Sequence, residues 1–270
     1  MCRHIIARDS SETGNAGSEQ SEHSCSSEDK KMTRSNRRTF LMSTVAACVS
    51  GRAGSAAGQF AVKGSGALTK ARRDQLTPVQ VIAELKKGNE RFRSGKPAPR
   101  DYLEEQHADA TGQAPAAIVL GCIDSRVPAE IVFDTGIGEL FVARVAGNIV
   151  DEDILGSLEY ACAEAGAKVI VVLGHTDCGA VKGAIEDLHL GNLTGLLAKL
   201  KPAITATTAT GEKSDKNRAY VAAVARTNVK LGLDSVRKRS QVLADLETKK
   251  TIQMVGALYD VSTATVEFLA

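Results

Sequence analysis

The chain has no tryptophan, only four tyrosines and six phenylalanines, and six prolines in 270 residues. Its 43% hydrophobic content still suffices for a real core, and its length holds one large α/β domain with extensions or two small domains. The six cysteines (Cys2, Cys25, Cys48, Cys122, Cys162 and Cys178) have no dense or regular spacing, which argues against a disulfide framework. No Cys-x-x-Cys pair is present, which weakens a thiol-redox reading. Charge of neither sign dominates: 34 basic against 32 acidic residues give a net +2, an excess that points to no nucleic-acid partner. No internal repeat is apparent. The apolar run at 40–49 is too short to span a bilayer, so no stable membrane span is expected.

Residues 1–31 are rich in Ser, Glu, Gly and His, a composition that favours disorder. Met32 is a second candidate start. The segment after it has the layout of an export signal: Arg37-Arg38-Thr39-Phe40-Leu41 resembles a twin-arginine motif, and the short apolar stretch follows. Ser55-Ala56-Ala57 offers a cleavage site after Ala57. Val45-Ala46-Ala47-Cys48 resembles a weak lipobox, the alternative being lipidation at Cys48. The expected division is a signal-bearing extension over 1–57, a linker over 58–75 and a folded domain over 76–270. The expected destination is the periplasm or the exterior, with the cytoplasm as the alternative.

The domain opens with three helix-start signals together: Thr77 as cap, Pro78 at the first helical position and Gln80 at the third. Val81, Ile82, Leu85 and Phe92 give this helix its apolar side, and Gly95-Lys96-Pro97 ends it. Two short β-branched runs, 116–121 and 169–173, then stop at glycine, reading as strands buried on both faces. Residues 140–146 form a further strand, closed by Gly147-Asn148. Helices are expected after Pro128, after Asp151 or Asp153, over 179–188 and 191–201, and over 219–233 and 243–249. Gly166 is expected to end the helix carrying Cys162, a small buried core residue. Residues 205–216 read as a surface loop. Residues 251–259 and 266–269 read as a final hairpin on the sheet. This alternation predicts an α/β fold, a mostly parallel sheet flanked by helices.

Parallel sheets carry their chemistry beyond the carboxyl ends of the strands, where Cys122, His175 and Cys178 can converge. Two thiolates and an imidazole favour a tetrahedral zinc over magnesium or calcium. On spacing alone, Cys122 as a buried thiol and His175 as a satisfied loop histidine remain competitive readings. Asp124, two residues past Cys122, can reach a fourth metal position or a metal-bound water. Arg126 is spaced to pair with it through its bidentate fork.

Cys122-Ile123-Asp124-Ser125-Arg126, Arg144-Val145-Ala146-Gly147-Asn148 and Gly174-His175-Thr176-Asp177-Cys178-Gly179 together resemble the signatures of β-class carbonic anhydrases. The likeness runs from Gly88-Asn89-Glu90-Arg91-Phe92 to Gly256-Ala257-Leu258-Tyr259-Asp260. It implies one zinc per subunit on Cys122, His175 and Cys178, lowering the pKa of bound water to about 7, from 15.7 in bulk. The resulting hydroxide would hydrate carbon dioxide to bicarbonate, the reaction of a carbonate dehydratase. Asp124 and Arg126 would be the catalytic dyad that orients it, Asp124 would bind zinc in a closed state, and Gly179 would offer its backbone N–H to substrate. A homodimer or homotetramer is implied, with the first helix crossing onto the partner.

Two departures stand out. The loop Phe133-Asp134-Thr135-Gly136 lacks the glutamine that many members use to contact substrate, and Val119 stands where a bicarbonate-regulated subgroup has tryptophan. His189 reads as a solvent-facing helical histidine rather than a proton shuttle. Two other functions remain open on sequence: a carbon disulfide or carbonyl sulfide hydrolase on the same site, and a non-catalytic zinc or bicarbonate-binding module.

Overall fold

Alternating apolar side chains are sorted to two faces by the period of a strand. β1 (Ala117–Gly121), β2 (Leu140–Arg144), β3 (Val169–His175) and β4 (Gln253–Asp260) are parallel, and β5 (Thr265–Leu269) returns antiparallel along β4. The computed structural model describes residues 68–269 and orders the sheet β2-β1-β3-β4-β5. β1 and β3 are buried along their whole length, as their unbroken apolar runs predict. Ala117, Val119, Val169, Val171 and Leu173 face one core, and Ile118, Leu120, Ile170 and Val172 face the other. Each fully buried Val or Leu side chain contributes about 1.5–3 kcal/mol. These strands are therefore held in register by two cores at once.

The first core is covered by the N-terminal helices. α1 (Lys70–Gln75) is capped by Thr69, and Leu68 and Leu76 on either side of it are buried. The folded unit therefore begins inside the segment expected to be a linker over 58–75. The reason is local: two apolar anchors eight residues apart find the core despite the polar sequence between them. α2 (Pro78–Arg93) has the predicted capping box at Thr77 and Gln80. It lies on the sheet, burying Val81, Ile82 and Leu85. A Cβ on its Gly88 would lie 1.8 Å from the Phe133 carbonyl oxygen, so only glycine permits this approach. Asn89 then ties the helix down, donating to the Val132 and Ala264 carbonyls and accepting from the Val266 N–H. α3 (Tyr102–Ala108), absent from the sequence reading, starts on an Asp101 cap. α4 (Ala129–Val132) follows Pro128 as expected.

α5 (Glu152–Glu159), capped by Asp151, widens at Tyr160 into a π-type turn that carries Ala161 and Cys162 into the second core. The 140–146 strand stops at Arg144 and gives way to a 3-10 turn over Ala146–Asn148. α6 (Gly179–Ile185), α7 (Gly191–Ala198) and α8 (Lys201–Ala206) follow, the last running into the expected loop. α9 (Arg218–Arg239) extends past Leu233 because Val236 is also buried against the sheet. α10 (Gln241–Thr248) is capped by Ser240. His189 lies in the loop between α6 and α7, not on a helix, and is exposed beside Asp187. No helix among the described residues is long and apolar enough to cross a membrane. The twin-arginine motif, the cleavage site after Ala57 and Cys48 lie outside the described residues.

Candidate metal centre

Parallel register decides where the chemistry goes. Leu120 of β1 pairs with Val172 of β3, so the two strands end on the same rim of the sheet. Cys122 leaves β1 there, His175 is the last residue of β3, and Cys178 follows at the cap of α6. The turn between His175 and Cys178 is closed by Asp177 in the left-handed region, at φ 58°. All three side chains are buried, and their ligand atoms lie within 4.8 Å of one another. The expected Cys122, His175 and Cys178 set is therefore assembled from two chain segments more than fifty residues apart.

The polar bookkeeping of this cluster fits a metal. His175 is fully buried; its Nδ1 lies 2.9 Å from the Thr176 carbonyl, which leaves Nε2 with no hydrogen-bond partner. An orphaned imidazole nitrogen in a buried site costs about 1–3 kcal/mol unless a ligand takes it. The two sulfurs lie against each other. The hydrogen bond from Cys178 holds the Cys122 thiol well below its ordinary range, with His175 and the Gly147 N–H adding to it. The same contact, together with burial, pushes Cys178 up. A soft divalent cation displaces that shared proton and needs this S, S, N donor set, for which zinc is the fitting ion. Cys162 behaves differently: buried in the second core, its thiol is pushed up to about 12, and it has no part in the cluster.

Asp124 and Arg126 meet beside the cluster. The Arg126 Nε donates to Asp124 Oδ1 at 2.9 Å and Nη2 to Oδ2 at 2.8 Å, the bidentate pairing that their spacing predicts. Asp124 Oδ2 is also 3.9 Å from His175 Nε2, so the carboxylate borders the metal position while engaged with arginine. The Arg126 guanidinium holds the Asp124 carboxyl down at about 2. A depressed folded-state value means that this pairing is intact above the ordinary carboxylate range and is lost only as pH falls through about 2.

Three supports escaped the sequence reading. Asp177 accepts from Arg126 Nη1 at 3.3 Å and is itself paired with Lys182, so the guanidinium bridges the loops after β1 and β3. Arg144 donates through Nε to the Cys122 carbonyl at 2.8 Å and through Nη2 to the Asp124 carbonyl at 2.5 Å, fixing the backbone that carries Cys122 and Asp124. Gly147 donates its N–H to the Cys122 sulfur at 3.3 Å. Arg144 and Gly147 fell within a recognised motif, but only the fold shows what they touch. Gly179 opens α6 and is exposed, with open space where a Cβ would stand.

A family model described as carbonic anhydrase matches residues 117–266. Carbonic anhydrase 2 of Mycobacterium tuberculosis is 47% identical over 119 residues, 44% of this chain and 58% of that protein. The match thus spans little more than half of that relative. The carbonic anhydrase of Mycolicibacterium smegmatis is 36% identical over 192 residues, covering 70% of this chain and 92% of the relative. Among solved structures, one of two tetrameric β-carbonic anhydrases from the ascomycete Sordaria macrospora matches at 28% identity with a TM-score of 0.53, covering 60% of this chain and 83% of that one.

Zinc at a free concentration a hundred times its Kd is expected to stabilise the protein by about 2.7 kcal/mol. Urea unfolding with zinc and after chelation measures this, and Cys178→Ser should remove most of the gain. Coincident unfolding curves with and without zinc would sink the metal assignment.

Proposed function

We propose, from the premise that this chain belongs to the β class of the carbonic anhydrase family, that it reversibly hydrates carbon dioxide to bicarbonate and a proton. The observation that carries the reading is the buried Cys122, His175 and Cys178 cluster with the Asp124–Arg126 pair at its edge. Zinc held by those three residues supplies, at neutral pH, a water acidic enough to act as nucleophile.

The remaining work falls to the chain's own groups. Asp124, kept ionised by Arg126, can only accept a hydrogen bond, so it selects the orientation in which the attacking oxygen turns a lone pair toward carbon dioxide. Arg126 limits the motion of that carboxylate through its two-point contact. Release of the Asp124 carboxylate toward the metal would close the site, a reading supported by its 3.9 Å approach to His175 Nε2. Gly179, at the first turn of α6 where backbone N–H groups lack helical acceptors, is suited to donate to a substrate oxygen. The proton released leaves to solvent and buffer. His189, exposed in a loop and engaged with Asp187, is not needed for it.

An oligomer, dimer or tetramer, agrees with two features. The relative from Sordaria macrospora is described as tetrameric. On this chain, β2 is a half-exposed apolar edge strand, and Ile123 and Ile131 are 62% and 56% exposed. Light scattering should give the mass of at least a dimer; a monomer at micromolar concentration would refute this. Export through the Arg37-Arg38 motif is a separate proposal that rests on residue pattern. Cell fractionation should find the wild-type protein outside the cytoplasm and an Arg37→Lys, Arg38→Lys variant retained within it. Equal distribution of the two would exclude the twin-arginine route.

Stopped-flow hydration by zinc-loaded protein tests the activity itself. Asp124→Ala and Arg126→Lys are each expected to lower kcat by about 10²–10⁴-fold while zinc stays at one per chain. Wild-type turnover no faster than the uncatalysed reaction, despite full zinc occupancy, would overturn the hydration reading. Unimpaired Asp124→Ala would remove that residue from the mechanism.

A further inference from the structure

The turn that follows β2 is built in an unusual way. Gly147 has φ 68° and Asn148, which is not a glycine, has φ 42°, two consecutive residues in the left-handed region. The turn is closed by the Asn148 N–H donating to the Val145 carbonyl at 2.9 Å. Gly147 is buried, and a Cβ there would press on Leu200 Cδ1 at 3.0 Å and Ala180 Cβ at 3.3 Å. Such a conformation persists only where the surroundings over-determine it.

The chief external restraint comes from Asn228, eighty-one residues away. It sits near the middle of α9, is itself buried, and its Nδ2 donates to the Gly147 carbonyl at 2.8 Å. Holding that carbonyl fixes the peptide on one side of Gly147. On the other side, the Gly147 N–H is left aimed at the Cys122 sulfur, 3.3 Å away. α9 packs along β3 and β4, so the restraint is anchored in the body of the sheet.

We propose that Asn228 is a positioning residue for the metal centre: it holds the left-handed Gly147 turn so that one backbone N–H donates to the Cys122 thiolate and lowers the charge that sulfur gives to the metal. The inference rests on the zinc reading above. A hydrogen bond to a ligating thiolate withdraws electron density from it, leaving the metal a stronger Lewis acid. The Asp124 backbone N–H also bears on this sulfur, so the Gly147 contact is one of two backbone hydrogen bonds to it, and the only one set by a turn that another helix holds.

Cobalt(II) loaded in place of zinc reads the thiolate directly. Wild-type protein should show sulfur-to-cobalt charge transfer, and Asn228→Ala and Asn228→Ser should move that band to lower energy. Thr227→Val, which removes the neighbouring hydroxyl bonded to Thr207, serves as the control; it is expected to lower the melting temperature and leave the band in place. A band unmoved in the Asn228 variants, at any melting temperature, overturns the proposal. Failure of both variants to fold with metal present, while Thr227→Val folds, would assign Asn228 to fold stability alone and also overturn it. Absence of sulfur-to-cobalt charge transfer in the wild type would instead count against the metal reading on which the inference rests.

Discussion

A fully buried imidazole nitrogen without a partner, set against two buried sulfurs, is the constraint on which the rest of the architecture turns. The two sulfurs pack with Val181, Val221, Val224 and Leu258, an apolar wall that offers the nitrogen no polar partner on that side. The donors must therefore be held together by the fold against their own desolvation. The sheet does this by rigidity. β1 and β3 are each locked between two cores, so the rim where they end cannot spread without disrupting packing on both faces.

Around the donors lies a set of contacts whose targets are backbone atoms. Arg144 grips the Cys122 and Asp124 carbonyls, the Thr176 carbonyl fixes the His175 ring, and Asn228 holds Gly147. Each contact removes a degree of freedom from a loop rather than adding much stability of its own. The Asp124–Arg126 pair is partly open to solvent, where ion pairs contribute little to folding. Its worth lies in orientation. The second carboxylate, Asp177, shares the same guanidinium and so couples the loops that bear Cys122 and Cys178.

The two glycine-dependent approaches show how far packing reaches into sequence. Gly88 lets α2 lie against the Phe133 carbonyl, and Gly147 lets the β2 turn pass beneath Leu200. Gly88 lies inside a helix and does not advertise itself, whereas Gly147 reads in the sequence only as the close of a strand. α1 and α3 escaped notice for the opposite reason. Their sequences are polar, and only the burial of Leu68, Leu76 and Glu105 in the assembled domain makes them ordered helices.

By itself, the sequence determined the alternation of strand and helix, the capping box at Thr77 and Gln80, the His175-x-x-Cys178 half of the donor set and the Asp124–Arg126 pairing. All of these depend on local periodicity, on residue chemistry or on spacings of two or three positions, which short-range physics settles. The tertiary structure alone decided which strands adjoin, that Cys122 meets His175 and Cys178 at one rim, and that α9 continues to Arg239. It also decided what Arg144, Gly147 and Asn228 touch. An asparagine among the valines of a long helix has no visible purpose until the sheet brings a glycine carbonyl to it from eighty-one residues away, because long-range pairing is set by the collapse of the whole core rather than by any local preference.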